Sequence, residues 1–439
     1  YYYNFKLFLY MNFLYYLFII FFVSLIITRK WRLSAYLFII FLPLGNIFQS
    51  NILFSGLSLI NISALTFIII SLSNPNVKKN IRDLDQFQSL SINFIIFYFL
   101  IFNNIYICKF DLLVRDADTF RIILDILKNS LIGMAYILII INSHYLIRSK
   151  ILYRAISIGT FIVFLSMLFS YQLMALGFLV NTDMETISAF DKVNIRLSGF
   201  YDGDVNAAAS FLIVVFGYFL SLYEKKKKPI VTFFLVVCFA GMLFTGSRGV
   251  ALAIAAIFIL FIINNSSKFS IKSFFGLIFI STVLYFIFYF QGTTITDRLF
   301  SDQSQEEIYI YNESFRFIRW KTLLQDMIAN PSFFLLGNLH TPPIGPQNQV
   351  IISPHNEYVR VLYFGGILLF FYYIKLYYKI FKINRIIKKT NGLTIIYSFV
   401  GMIMTYMFLS NFVNQYFPII LILLGFNNYS QSNNKQTME

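Results

Sequence analysis

The chain has 439 residues, 58% of them hydrophobic and only 13% charged, with a mean hydropathy of +0.70. Soluble domains carry about a quarter charged residues, so a soluble fold is excluded, and uninterrupted apolar runs exclude a β-barrel, whose strands alternate over about ten residues. The net charge of +15 does not indicate nucleic acid, because the cations sit in short clusters between apolar runs, the pattern that orients membrane helices.

Apolar runs recur near residues 7–27, 33–48, 52–72, 90–107, 122–142, 151–180, 205–223, 229–245, 249–263, 273–290, 357–380, 393–410 and 416–427. Lipid offers no partner for an unpaired backbone group, so runs of this length form helices. The expectation is an all-α polytopic membrane protein with about twelve or thirteen transmembrane helices. The last run is short for a span. The first run lacks a basic n-region and a small-residue cleavage site, so no cleavable leader is expected in it. Cys108 and Cys238 lie in or beside apolar runs, which suits helix packing better than a disulfide.

The cationic clusters are Arg29-Lys30-Trp31-Arg32, Lys78/Lys79/Arg82, Arg148/Lys150/Arg154, Lys225 to Lys228, Lys268/Lys272 and Lys382/Arg385/Lys388/Lys389. Alternating helices place all of them on one side, which the positive-inside rule makes the cytoplasm. The other side receives Cys108 to Arg121, Asn181 to Asp204, the turn Thr245 to Gly249, the long segment Gln291 to Asn356, and Asn411 to Tyr416. The expected organisation is a helical bundle over 1–290, a periplasmic loop over 291–356, C-terminal membrane helices over 357–427 and a polar cytoplasmic tail over 428–439.

The long loop carries its own pattern. Asn312-Glu313-Ser314 offers cap residues, and Phe317, Trp320, Leu324, Met327 and Ile328 recur at helical spacing before Asn330-Pro331. That spacing predicts an amphipathic helix at the membrane interface, stopped at Pro331, with Trp320 as its anchor and Arg316 one turn away. The proline-rich stretch Thr341 to Pro346 forces an irregular path towards Pro354-His355-Asn356-Glu357.

Three outward features carry chemistry: Arg196 beside the Gly199 turn, Arg248 in Thr245-Gly246-Ser247-Arg248-Gly249, and His355 at the start of an apolar run. An arginine set between two spans is costly and calls for a partner or a ligand. Two guanidinium groups suit an anion held by bidentate contacts, and an imidazole supplies an acid–base step. An anion that still needs a membrane site is a lipid phosphate or pyrophosphate.

Arg-x-x-Gly…Asn-Ala at 196–207, Ser-Arg-Gly at 247–249, Arg-x-x-x-Trp with Asn-Pro at 316–331, and Pro-His-Asn-x-Tyr…Gly-Gly at 354–366 occur in this order. Together they resemble the O-antigen ligase/polymerase superfamily of bacterial polysaccharide assembly. The resemblance implies a GT-C type, inverting, metal-independent glycosyltransferase in the bacterial inner membrane, with its active site on the periplasmic side. Its donor would be a glycan on undecaprenyl pyrophosphate. It implies that Arg196 and Arg248 contact the pyrophosphate and that catalytic His355 assists the acceptor hydroxyl. Arg316 and Asn356 would line the substrate site. Glu357 has no counterpart role in the resemblance. No cofactor is expected; the partners are the lipid-linked donor and acceptor, the bilayer and a chain-length regulator.

Polymerase and ligase differ by acceptor: the next lipid-linked repeat unit, or lipid A-core. The AT-rich style of the composition favours the polymerase. Asp116-Ala117-Asp118 fits the Asp-x-Asp metal pattern of nucleotide-sugar enzymes, but it falls on an outward loop, so no metal site is expected. A flippase for the same lipid-linked sugar is the rival class. Transporters place ionisable residues within their spans, and the spans here read as nearly free of acids and bases.

Overall fold

A computed structural model describes residues 2–44, 58–74, 84, 86–113, 119–143, 146, 150–175, 181–187, 192–200, 205–225, 227–245, 247–264, 320–338, 356–389 and 396–406. The protein is all-α over nearly all of these, as its hydropathy requires. By length and composition, five described helical stretches could cross a membrane: Gln88–Cys108, Thr119–Ile141, Ile151–Leu168, Val205–Glu224 and Glu357–Lys379, the last of them interrupted at Gly366. Shorter apolar helices cover Tyr15–Thr28, Trp31–Phe41, Leu59–Leu72, Pro229–Thr245, Gly249–Asn264 and Ile396–Tyr406. The runs expected at 273–290 and 416–427 lie outside the described residues. Many large apolar side chains face outward, among them Ile20, Phe120, Ile123, Leu252, Ile263, Leu368 and Phe371. On a soluble protein such a surface would aggregate; here it meets lipid.

The helix Val205–Lys225 is the centre of the bundle, with 89% of its most apolar window buried. It is apolar on every side, which suits a helix surrounded by others. Ala207, Ala208 and Ala209 let its neighbours approach closely. Pro229–Thr245 and Ile396–Tyr406 pack along it, and Ser398 Oγ donates to the Val214 carbonyl at 2.7 Å.

One short hairpin departs from the all-helical reading. Asn181–Ile187 (β1) and Lys192–Gly199 (β2) pair antiparallel, with Asp183 opposite Arg196 in the register. Val193, Ile195 and Leu197 alternate with polar residues, the period of a strand rather than of a helix. The hairpin is tied to the end of the Ile151–Leu168 helix. Phe200 N–H donates to Ser166 Oγ at 2.8 Å, and Gly199, at φ +60°, lies so close that a Cβ there would overlap Ser166.

The second departure concerns the run at 357–380, read from the sequence as one span with His355 at its mouth. Helix Glu357–Lys389 is broken at Gly366 (φ 71°, ψ 177°). A straight helix would set Tyr358 and Tyr373 about 22 Å apart, yet their rings lie 6.4 Å apart. Tyr98 touches both arms: its hydroxyl donates to Glu357 Oε1 at 2.7 Å, and its ring sits 6.0 Å from that of Tyr373. The segment therefore folds back on itself. A short first arm starts at Glu357 beside Tyr98, midway along the Gln88–Cys108 span, and climbs to Phe364, whose ring meets Tyr106 at 5.1 Å. The chain reverses at Gly366, and the second arm descends past Phe97 and Phe94. Backbone that breaks helical bonding at membrane depth must find partners inside the protein. Asn338 N–H supplies one, donating to the Tyr363 carbonyl at 2.8 Å.

The described contacts place several elements at one end of the bundle. Ser166, Gly199, Val205 and Thr245 meet there, and the Phe164 and Phe244 rings stack at 6.0 Å. The end of Ile396–Tyr406 and the Gly366 reversal share that end. At the opposite end Tyr397 donates a short hydrogen bond to Glu224, next to the Lys225–Lys228 cluster.

Candidate active site

Asn356 opens the first arm. Its Oδ1 accepts the Val359 N–H at 3.1 Å and its carbonyl accepts the Arg360 N–H at 3.0 Å, a helix N-cap that satisfies donors at the start of the arm. Glu357 and Arg360 follow, both fully buried. Arg360 Nε donates to Glu357 Oε2 at 2.9 Å, and Nη2 donates to Oε1 at 2.8 Å. Nη2 also donates to the Tyr98 hydroxyl at 2.9 Å and to Asn103 Oδ1 at 3.3 Å. The guanidinium stacks against Tyr106 (4.7 Å to the ring centre) and Phe102 (4.9 Å). A fixed fork on a carboxylate with aromatic faces beside it is an arrangement that arginine holds and lysine does not.

The partner helix is shaped for this grip. Ile96–Asn103 is a π-helix, whose bonds run from residue i to i+5. Five residues turn an α-helix about 140° past a full turn, which would put Tyr98 and Asn103 on different faces. In the wider π turn they stack, and both reach Arg360. Asn129, from the Thr119–Ile141 helix, donates to the Phe99 carbonyl at 2.8 Å and to Asn104 Oδ1 at 2.6 Å, tying the π segment to its neighbour. Among the described residues Arg360 Nη1 and Asn103 Nδ2 have no hydrogen-bond acceptor.

Above the reversal, 320–338 docks on the first arm. Tyr363 OH donates to Asp326 Oδ2 at 2.5 Å, and Asn338 Nδ2 donates to Tyr363 OH at 2.5 Å. Leu323 and Met327, one turn apart, bury against Tyr363. Leu324 and Ile328, grouped with Met327 from the sequence, point away from this contact and are 41% and 79% exposed. Pro331 does end the helix at 320–329, as expected, and also starts the next one, Pro331–Leu336, at a position where its missing N–H is harmless.

The sequence-derived candidates fall unevenly. Arg196 lies on β2 opposite Asp183, and Arg248 is the first residue of the helix Arg248–Asn264. Their backbones stand at the same end of the bundle; their side chains lie outside the described part, as do His355, Arg316, Asp116, Asp118 and His340 altogether. Asn356, expected to touch substrate, uses its carbonyl oxygen as a cap. Arg360, Tyr98 and Asn103 escaped the sequence reading, which noted Glu357 without a role. Its premise that the spans are nearly free of acids and bases fails at Glu357 and Arg360. Their i,i+3 spacing inside an apolar run was the available signal, whereas the π turn that recruits Tyr98 and Asn103 left none.

Residues 233–374 match the family model described as O-Antigen ligase. Over this stretch the chain is similar to that family. The match takes in Arg248, the docked segment 320–338 and both arms about Gly366, and it stops short of Arg196. No curated protein matches the chain. Family members are glycosyltransferase-like membrane enzymes, ligases or polymerases of O-antigen assembly.

Proposed function

We propose that the chain is a polysaccharide polymerase, transferring a glycan from undecaprenyl pyrophosphate to the next lipid-linked repeat unit at the periplasmic face of the bacterial inner membrane. The observation that carries this reading is the family match over 233–374, which spans Arg248 and the arm that begins at Asn356. In the reaction the glycosidic carbon–oxygen bond to the pyrophosphate breaks as the acceptor hydroxyl attacks from the opposite face. The departing diphosphate leaves on its polyprenyl carrier, and Arg196 and Arg248 stabilise its growing charge. His355 takes the hydroxyl proton. Arg316 adds a further contact to the phosphates, and Asn356 caps the arm that follows His355 in the sequence and lines the substrate site. Substrates enter from the bilayer, and a chain-length regulator sets when extension stops.

The family description favours a second reading, an O-antigen ligase that delivers the glycan to lipid A-core. A flippase finds less support, because the matched family is one of transferases. Lipopolysaccharide gels of a deletion strain separate these. Loss of the ladder with one unit retained identifies a polymerase, and loss of every attached unit identifies a ligase. Arg248→Ala is expected to abolish long chains while the protein still inserts in the membrane; long polysaccharide from that variant would refute the phosphate clamp.

A further inference from the structure

The fold does not need an ion pair at the depth of Tyr98. Apolar side chains of like volume are often as stable as a buried pair, or more so. Among the described residues the cluster also leaves Arg360 Nη1 and Asn103 Nδ2 without an acceptor, and an unmade buried hydrogen bond costs about 1–3 kcal/mol. What the pair adds is a single geometry. The Arg360 fork engages both Glu357 oxygens, which locks the two side chains of the first arm against each other, and the Tyr98 hydroxyl of the neighbouring helix contacts both of them, which sets the rotation of the arm. Tyr98 and Asn103, stacked by the π turn, set its depth. Asn356 caps the same turn, and His355 is its neighbour across one peptide bond.

We propose that Glu357, Arg360, Tyr98 and Asn103 are positioning residues for the transfer step: they hold the first turn of the arm, which Asn356 caps and which follows His355 directly in the sequence, at one depth and one rotation. The proposal rests on the glycosyltransferase reading given above. Glu357 acts through the turn and not as a base, since Oε1 accepts from both Tyr98 and Arg360 and Oε2 accepts from Arg360. A group held in this way affects how often bound substrate reaches the reactive geometry, and hence kcat, more than it affects binding. A displacement of about 1 Å is enough for roughly a hundredfold loss.

The test uses the full chain in lipid nanodiscs with a polyprenyl-pyrophosphate-linked repeat unit as substrate, reading thermal midpoint, kcat and KM. Glu357→Gln alone is expected to lower the midpoint. The double variant Glu357→Met with Arg360→Met is expected to regain it, with KM near native and kcat still reduced about a hundredfold. A double variant that regains native kcat together with its midpoint would show the pair to be scaffolding only. Should the double variant not fold, Tyr98→Phe decides, because it keeps both charges and the bidentate contact. It is expected to fold and to lose kcat about tenfold at unchanged KM, and native kcat would overturn the proposal. A native chain with no transfer activity would instead overturn the functional reading, and this one with it.

Discussion

Arg360 is the residue on which the C-terminal half turns. It lies in the first turns of a membrane-buried arm, with Glu357 as its ion-pair partner among the described residues. Removing either partner leaves an uncompensated charge, which typically destabilises by about 3–5 kcal/mol. Glu357→Gln should therefore lower the denaturation midpoint in detergent sharply, and Arg360→Lys should fall between it and the native chain, because a point charge reaches one oxygen at a time. Equal midpoints for Arg360→Lys and the native protein would mean that the fork contributes nothing.

At the scale of elements, the reversal at Gly366 depends on two glycines facing each other. Gly366 (φ 71°) meets the Leu335 carbonyl, and Gly337 (φ 83°) meets the Phe364 carbonyl, each so closely that a Cβ would overlap the other chain. Both positions also demand a backbone conformation that only glycine adopts without strain. Gly366→Ala is thus expected to undock 320–338 and cost at least about 1–3 kcal/mol. Limited proteolysis of membranes would reveal this as new cleavage within 320–338. Asp326→Ala, which removes the acceptor for the Tyr363 hydroxyl, should expose the same segment while leaving the reversal in place. Protection unchanged in both variants would refute the docking.

Across the whole molecule, two ends are distinguished by what gathers there. Gly199, Thr245 and the Gly337–Gly366 contact share one end; Glu224, Tyr397 and Lys225–Lys228 mark the other. The positive-inside rule puts the lysines in the cytoplasm. A cysteine at Leu335, which is 53% exposed, should react with a membrane-impermeant thiol reagent in cells whose outer membrane has been opened. One at Lys227 should react only after the inner membrane is breached. The background would carry serine at Cys108 and Cys238. The reverse pattern would invert the orientation and refute the periplasmic placement proposed for the site.

Hydropathy by itself determined the class of the protein and the places of most helices; Pro229–Thr245 and Arg248–Asn264 match the apolar runs within a residue. It did so because a backbone in lipid has few ways to satisfy its hydrogen bonds. The motif order resembled the family whose model matches residues 233–374. The hairpin at 181–199 was visible only as a faint alternation. Tertiary structure decided that 357–380 is a reversal and not a single span, since Gly365-Gly366 reads equally well as helix packing until Tyr98 is seen to touch both arms. It also decided the grip on Arg360, because a π turn changes which residues share a face while leaving composition and apolar period intact.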